Sequence, residues 1–307
     1  MNGFSAVRLV IGLAVFLYAS WRDLRTRRVP DNTWIVLGVA ALAILEVELL
    51  KDGAPLEHHL LLIPTAIIFF AVFFGEELWT EEGLRFRPLR LGLYVIALVV
   101  LAYSVQHFIG TSGEQTDLYW AHLSMPVLLV LAHVFYQFGI LRGGADAKAF
   151  MSIALLVPAY PSLEVGLPVI HLSSIAQASM NLIFPFGLVV LLDAALLLIF
   201  LPIVLLILNA SKRDVHGLEA LFGYRVSIDR LPRFAWLMDK IENGEHVRVL
   251  FPRKRENREE EVMKLREKGL DHVWVTPQIP FILPLTLGFV SAFLIGNFFV
   301  GLTLLAT

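Results

Sequence analysis

The sequence contains no cysteine. That one absence excludes disulfides, thiolate zinc sites, iron–sulfur clusters and cysteine nucleophiles. Charge is also scarce. Only 17% of the 307 residues are charged and 57% are hydrophobic, with a mean hydropathy of +0.71. A soluble domain carries about 25% charged and about 45–50% apolar residues. A disordered chain, a fibrous repeat and an ordinary soluble enzyme are thereby excluded. No internal repeat or low-complexity tract is present. The net charge of −2 gives no global sign of a nucleic-acid partner.

What is present is apolar sequence in long runs. A bilayer core of about 30 Å needs roughly 20 apolar residues of helix. Such runs fall at 4–21, 33–50, 59–75, 91–109, 119–140, 181–208 and 279–304. A weaker run at 147–160 follows Asp146 and Lys148. It serves as a span only if it includes that charged start or leans on other helices. The first run is followed by Arg22, Arg25, Arg27 and Arg28 rather than by a small-residue cleavage site, so it is read as a spanning helix and not a removable signal. With all eight runs spanning and the N-terminus outside, every Lys and Arg except Arg8 and Lys51 falls on the cytoplasmic side, as the positive-inside rule requires. Leaving out 147–160 would destroy that bias. The expected fold is an all-α polytopic membrane protein. A transmembrane part at 1–209 precedes a soluble α+β subdomain at 210–278, and a last helix occupies 279–307. Within the subdomain, a helix is predicted over 258–268 and strands over 247–251 and 273–276.

Ionisable groups at membrane depth are costly and point to function. Asp23 falls at the cytoplasmic end of the first span and Asp146 at the cytoplasmic start of the sixth. They are distant in sequence but share a membrane face. Two carboxylates in one site can divide acid and base roles, as in aspartic proteolysis: one activates water and the other supplies a proton. The plain alternative is that each caps a helix end or pairs with a nearby Arg. Asp193 lies mid-span and reads as structural. His133 and Gln137, one turn apart, read as core. His58-His59 falls in an outer loop with no third ligand, so no metal is assigned. The charged run 253–261 reads as a solvated loop and helix face. Lys148 follows Asp146 by two residues and does not share its helix face. Asp31 or Asn32 can cap the second span.

The local motifs carry a resemblance. Arg142-Gly143-Gly144-Ala145-Asp146-Ala147-Lys148 resembles the Gly-x-Gly-Asp-type motif of type IV prepilin peptidases, in the form of the archaeal preflagellin peptidases. Trp21-Arg22-Asp23, continuing to Val29-Pro30-Asp31-Asn32, resembles the family's first aspartate motif. Val273 to Phe281 resembles the segment leading into the last span of archaeal members; Asn181–Phe186 and Gly223-Tyr224 match more loosely. The resemblance covers the first 40 residues and most of 130–307. It implies an aspartic endopeptidase that removes the short leader of preflagellin or type IV pilin-like precursors. Asp23 and Asp146 would be catalytic, supported by Gly143, Gly144, Lys148 and Arg142. The implied partners are protein precursors and the lipid membrane, with no cofactor or metal and no nucleic acid. Ala145 replaces the motif's second glycine. The region between the two aspartate motifs holds four spans where two are expected, and about 59–118 lies outside the resemblance. Without cysteine, the zinc loop and methylation of bacterial relatives are not expected. Presenilin-type intramembrane proteases share a Gly-x-Gly-Asp motif, but they place a Tyr before the first Asp and a late Pro-Ala-Leu motif, both lacking here. A transporter using Asp193 would favour a two-fold repeat, and none is seen.

Overall fold

The computed structural model describes residues 3–74, 79–80, 83–84, 87–141, 143–161, 183–215, 217–252 and 257–296. Arg142, most of 161–180, Asn181, 253–256 and the end of the last predicted span lie outside the described residues. The chain divides into two units, 1–195 with 280–307 and 196–279.

The first unit is a helical bundle. It contains α1 (Gly3–Thr26), α2 (Asp31–Lys51), α3 (Leu56–Phe70), α4 (Pro88–Phe108), α5 (Glu114–Gln137), α6 (Gly144–Leu156), most of α7 (Phe186–Ile199) and a helix near the C-terminus at Ile282–Leu294. Two-residue strands β1 (Trp79–Thr80) and β2 (Gly83–Leu84) pair between α3 and α4. Helices α1, α2, α4, α5 and the stretch Phe186–Ser211 are long and apolar enough to cross a bilayer. Those at Leu56–Phe70 and Ile282–Leu294 are shorter apolar helices.

Chain turns are set by local chemistry. After α2, Gly53 adopts φ 63°. Its N–H donates to the Leu50 carbonyl, and that of Ala54 donates to Leu49. This Schellman closure satisfies carbonyls that the helix end orphans. The same closure follows α5 at Gly139, which bonds Tyr136 while Ile140 bonds Phe135. It turns the chain directly toward the start of α6.

The weak run at 147–160 becomes α6, which begins earlier, at Gly144, and so includes the charged residues. At 13 residues it is about 20 Å long, short of the bilayer core. Every residue from Ala149 to Leu156 is buried. A helix apolar on all sides belongs in a bundle centre, and α6 packs against α2, α5 and the Ile282–Leu294 helix. Around it, Phe16, Trp34, Phe150, Phe186, Phe289 and Phe293 form the buried aromatic core. Small residues permit the close helix approaches. A side chain on Gly12 would strike Phe289 and Leu156, and one on Gly288 would lie 2.5 Å from the Val190 carbonyl oxygen. In lipid, where apolar burial drives helices together little, such contacts carry much of the association.

Two expectations are corrected at the ends of helices. His58 and His59 are not in a loop: Pro55 precedes α3 and both sit in its first turn. His58 is buried, its Nε2 lies 3.1 Å from the Gln115 carbonyl, and its ring stands edge-on to Tyr119 and His122. His59 pairs with Glu46. Nor do Asp31 and Asn32 cap α2: Pro30 holds the cap position and Asp31 is the first helical residue.

The second unit contains the end of α7, α8 (Leu201–Ser211), α9 (Glu219–Phe222), β3 (Tyr224–Ser227), β4 (Ala235–Leu237), β5 (Asp239–Glu242), β6 (Glu245–Arg248), α10 (Arg258–Glu267) and β7 (His272–Pro277); the Ile282–Leu294 helix that follows in sequence is α11. The run read as one span at 181–208 is interrupted at Phe200, because Pro202 lacks the N–H that would continue the helix and its ring crowds the preceding turn. Strand β7 is central, antiparallel to both β3 and β4. Buried Asp239 holds the unit together: its carboxylate accepts from the Trp274 N–H at 2.6 Å and from Arg248 Nε at 2.8 Å.

Candidate active site

Asp23 lies in the last turn of α1 and Asp146 in the first turn of α6. Helix α1 runs to this end of the bundle, four further helices reverse direction in turn, and α6 starts from the same end. The two carboxylates are close enough to interact as like charges. Asp23 is buried, with 7% of its surface exposed.

Each carboxylate also has a backbone donor. The Asp146 carboxylate accepts from the N–H of Gly143. Gly143 is the N-cap residue of α6 and Asp146 is its third helical residue, so this is the return half of a capping box. The Asp23 carboxylate accepts from the N–H of Ile282, the first residue of α11. The capping role is therefore present. Capping alone does not require the two acids to lie within reach of each other's charge, and they do.

Gly143 has an ordinary φ of −105°. Its requirement is space: a Cβ there would lie 2.5 Å from Asp146 Oδ2. A Cβ on Gly144 would meet nothing closer than the Tyr136 hydroxyl at 3.9 Å. Gly143, the first glycine of the motif, is thus sterically bound to its aspartate, and Gly144 is not. Ala145, in place of the motif's second glycine, is accommodated within the helix.

Arg27 completes the charge arrangement, and the sequence motifs do not single it out. It is a non-glycine residue in the left-handed region, φ 56°, immediately after α1. Its N–H bonds the Asp23 carbonyl at 3.0 Å, and the Thr26 hydroxyl bonds the Arg22 and Arg28 carbonyls. The guanidinium acts electrostatically on both Asp23 and Asp146. One cation beside two acids favours a pair that holds a single proton.

A cleft of about 490 Å³ lies at this end of the bundle, bordered by Arg22, Arg27, Arg28, Gly144, Ala145 and Lys148, sequence neighbours of the two aspartates, which do not themselves line it. Lys148 does not pair with Asp146. Its Nζ lies 2.6 Å from Asp31 Oδ1 and 5.0 Å from the centre of the Phe73 ring, tying α6 to the start of α2. Asp193 is separate from the pair. It is buried in α7 against α11, beside Ser291 and the close approach at Gly288. His133 is half-buried and Gln137 is exposed at the end of α5. Arg142 lies outside the described residues. No cluster of three His, Cys, Asp or Glu side chains suited to a metal occurs among the described residues.

Residues 218–298 match the family model described as Archaeal Peptidase A24 C-terminus Type II. Over an alignment covering 97% of both chains, this chain is 25% identical to a preflagellin peptidase of Methanocaldococcus jannaschii. It is 24% identical to the preflagellin peptidase of Methanococcus voltae, over 67% of this chain and 84% of the relative. To that of Methanococcus maripaludis it is 27% identical, over 56% and 70%. These matches support the archaeal preflagellin/prepilin peptidase family for this chain. They indicate a protease, a hydrolase. The family match spans the strand-bearing part of the second unit and all of α11, whose first N–H reaches Asp23.

Proposed function

We propose that this membrane protein is an aspartic endopeptidase that removes the short leader of preflagellin or type IV pilin-like precursors, with Asp23 and Asp146 as its catalytic pair. The observation that carries the reading is that the end of α1 and the start of α6 bring Asp23 and Asp146 within reach of each other's charge, at the end of the bundle where a cleft opens. One carboxylate, ionised, takes a proton from a water as that water attacks the scissile carbonyl. The other, protonated, donates to the carbonyl oxygen. The resulting gem-diol collapses with proton transfer to the leaving amine, and the pair returns to one shared proton. The Gly143 and Ile282 N–H groups orient the acids, and Arg27 offsets their charge.

The proposed arrangement has eight spans, with the N-terminus outside and both the pair and the 210–278 subdomain on the cytoplasmic side. The distribution of Lys and Arg supports it. A site at the membrane face suits a scissile bond just before the hydrophobic helix of a membrane-held precursor. The test is incubation of the purified protein with such a precursor, followed by mass spectrometry of the product. A single new N-terminus at the start of the hydrophobic segment is expected. A precursor left intact, or cut within the hydrophobic segment, contradicts the reading.

A further inference from the structure

Helix α8 carries the membrane span into the second unit. Its Ile203, Val204, Ile207 and Leu208 are exposed, as on a lipid-facing helix, and Lys212 and Arg213 follow its last residue, Ser211. The subdomain starts before α8 ends. Leu206 packs, with Phe222 and Leu250, on the buried cluster of Ala220, Met238 and Trp274. Asn209 is fully buried and donates to the Ala220 carbonyl at 2.9 Å and to the Gly223 carbonyl at 2.7 Å. Helix α9 is thereby fastened beside the last two turns of α8. Leu206 precedes Ser211 by five residues, so this layer reaches about 7.5 Å inside the helix end. The apolar side chains that the subdomain leaves exposed gather at the same layer. Beyond α8, four large ones are exposed among the described residues of the unit: Val215, Leu218, Phe251 and Met263. Val215 and Leu218 lie in the link from α8 to α9, and the Phe251 ring, 70% exposed, packs at 4.8 Å on Phe222 of α9. Only Met263 belongs to another element, α10.

We infer that this edge of the subdomain, formed by Leu218, Phe222 and Phe251, is inserted into the surface of the bilayer that α8 crosses and lies against phospholipid at the acyl-chain boundary. The occupant follows from continuity: the edge is held beside Leu206, within the apolar run whose outer face already meets lipid. The depth agrees, because an interfacial apolar face sits roughly 5–10 Å into that boundary. An aromatic ring is well suited to it. A second copy fits less well. A stable interface needs about 800 Å² from each partner, more than three partly exposed side chains offer. Nothing in the inference depends on peptidase activity or on headgroup charge.

The test uses the cysteine-free background. Phe251→Cys, Leu218→Cys, Ile207→Cys and Glu245→Cys are each labelled with a nitroxide, in the full chain, in phosphatidylcholine vesicles. Electron paramagnetic resonance then reads collisions of each label with oxygen and with a water-soluble nickel chelate. Ile207→Cys reports lipid on α8, and Glu245→Cys reports water at the far end of β6. Labels at Phe251→Cys and Leu218→Cys should match the one at Ile207→Cys, open to oxygen and closed to the chelate. Labels as open to the chelate as that of Glu245→Cys overturn the inference. Closure to both reagents overturns it too, assigning the edge to a second copy if the spectra broaden with spin density and to protein of the same chain if they do not. An Ile207→Cys label open to the chelate would overturn the span on which the inference rests. Leu218→Cys keeps the test decisive if Phe251→Cys unfolds the unit by losing the contact with Phe222.

Discussion

A methyl group on Gly143 would collide with Oδ2 of Asp146, whereas one on Gly144 would meet only the edge of Tyr136. Gly143→Ala is therefore expected to move the carboxylate and slow cleavage by roughly 10–100-fold, as displacements of about 1 Å do in catalytic sites. Gly144→Ala should fall within a few-fold of the unaltered protein; initial rates on one precursor compare them. Asp193→Asn should retain most activity, because Asp193 packs α7 on α11 away from the pair. Since the pair works with one proton, its pH–rate profile should be bell-shaped, with apparent values that belong to the pair. A rate rising through one ionisation to a plateau would remove one aspartate from the reaction. The two acids were readable in the sequence because each sits in a short recognisable motif. Arg27 and the Ile282 N–H were not. Arg27 was hidden in a basic run that reads equally well as a stop-transfer signal, and the link from residue 23 to residue 282 is encoded in no local spacing.

Helix α11 shows what close packing contributes at the next scale. Gly288 abuts the Val190 carbonyl, and Thr286 bonds Ser20 at 2.8 Å, one turn before Asp23. Gly288→Ala should destabilise the bundle by about 1–3 kcal/mol through overpacking, seen as a lower thermal midpoint in detergent. An unchanged midpoint would mean that α7 and α11 separate at no cost. Helices were the readable part of this fold, because apolar runs of bilayer length leave few alternatives. Their interruptions were less so: hydropathy runs smoothly through 181–208, although Pro202 marks the break at Phe200. In the subdomain, α10 and β7 matched their predicted runs. The β5–β6 hairpin turns at Asn243-Gly244, with φ of 51° and 82°, the signature of a type I′ turn. That signal stands in the sequence, but the apolar run at 247–251 points to a strand that starts later than the observed β6 (Glu245–Arg248).

For the whole molecule, the decisive matters are sidedness and the paired acids. The cysteine-free background makes labelling clean. A Cys at Ser211 should react only from the cytoplasmic side and one in the loop 109–113 only from the outside; the reverse pattern would invert the orientation and put the pair on the wrong face. The end-to-end order of the bundle followed from counting apolar runs, and that count placed Asp23 and Asp146 at one end. Sequence could not show that two helix ends would close onto each other, because that rests on α6 lying buried among α2, α5 and α11. The central claim is that these two acids act as one unit, and the most direct measurement is cleavage of one precursor by Asp23→Asn, Asp146→Asn and the double variant. Each single variant should lose roughly 10³-fold or more, the double variant should lose little beyond that, and all three should still insert in the membrane. Substantial cleavage by either single variant would contradict the account.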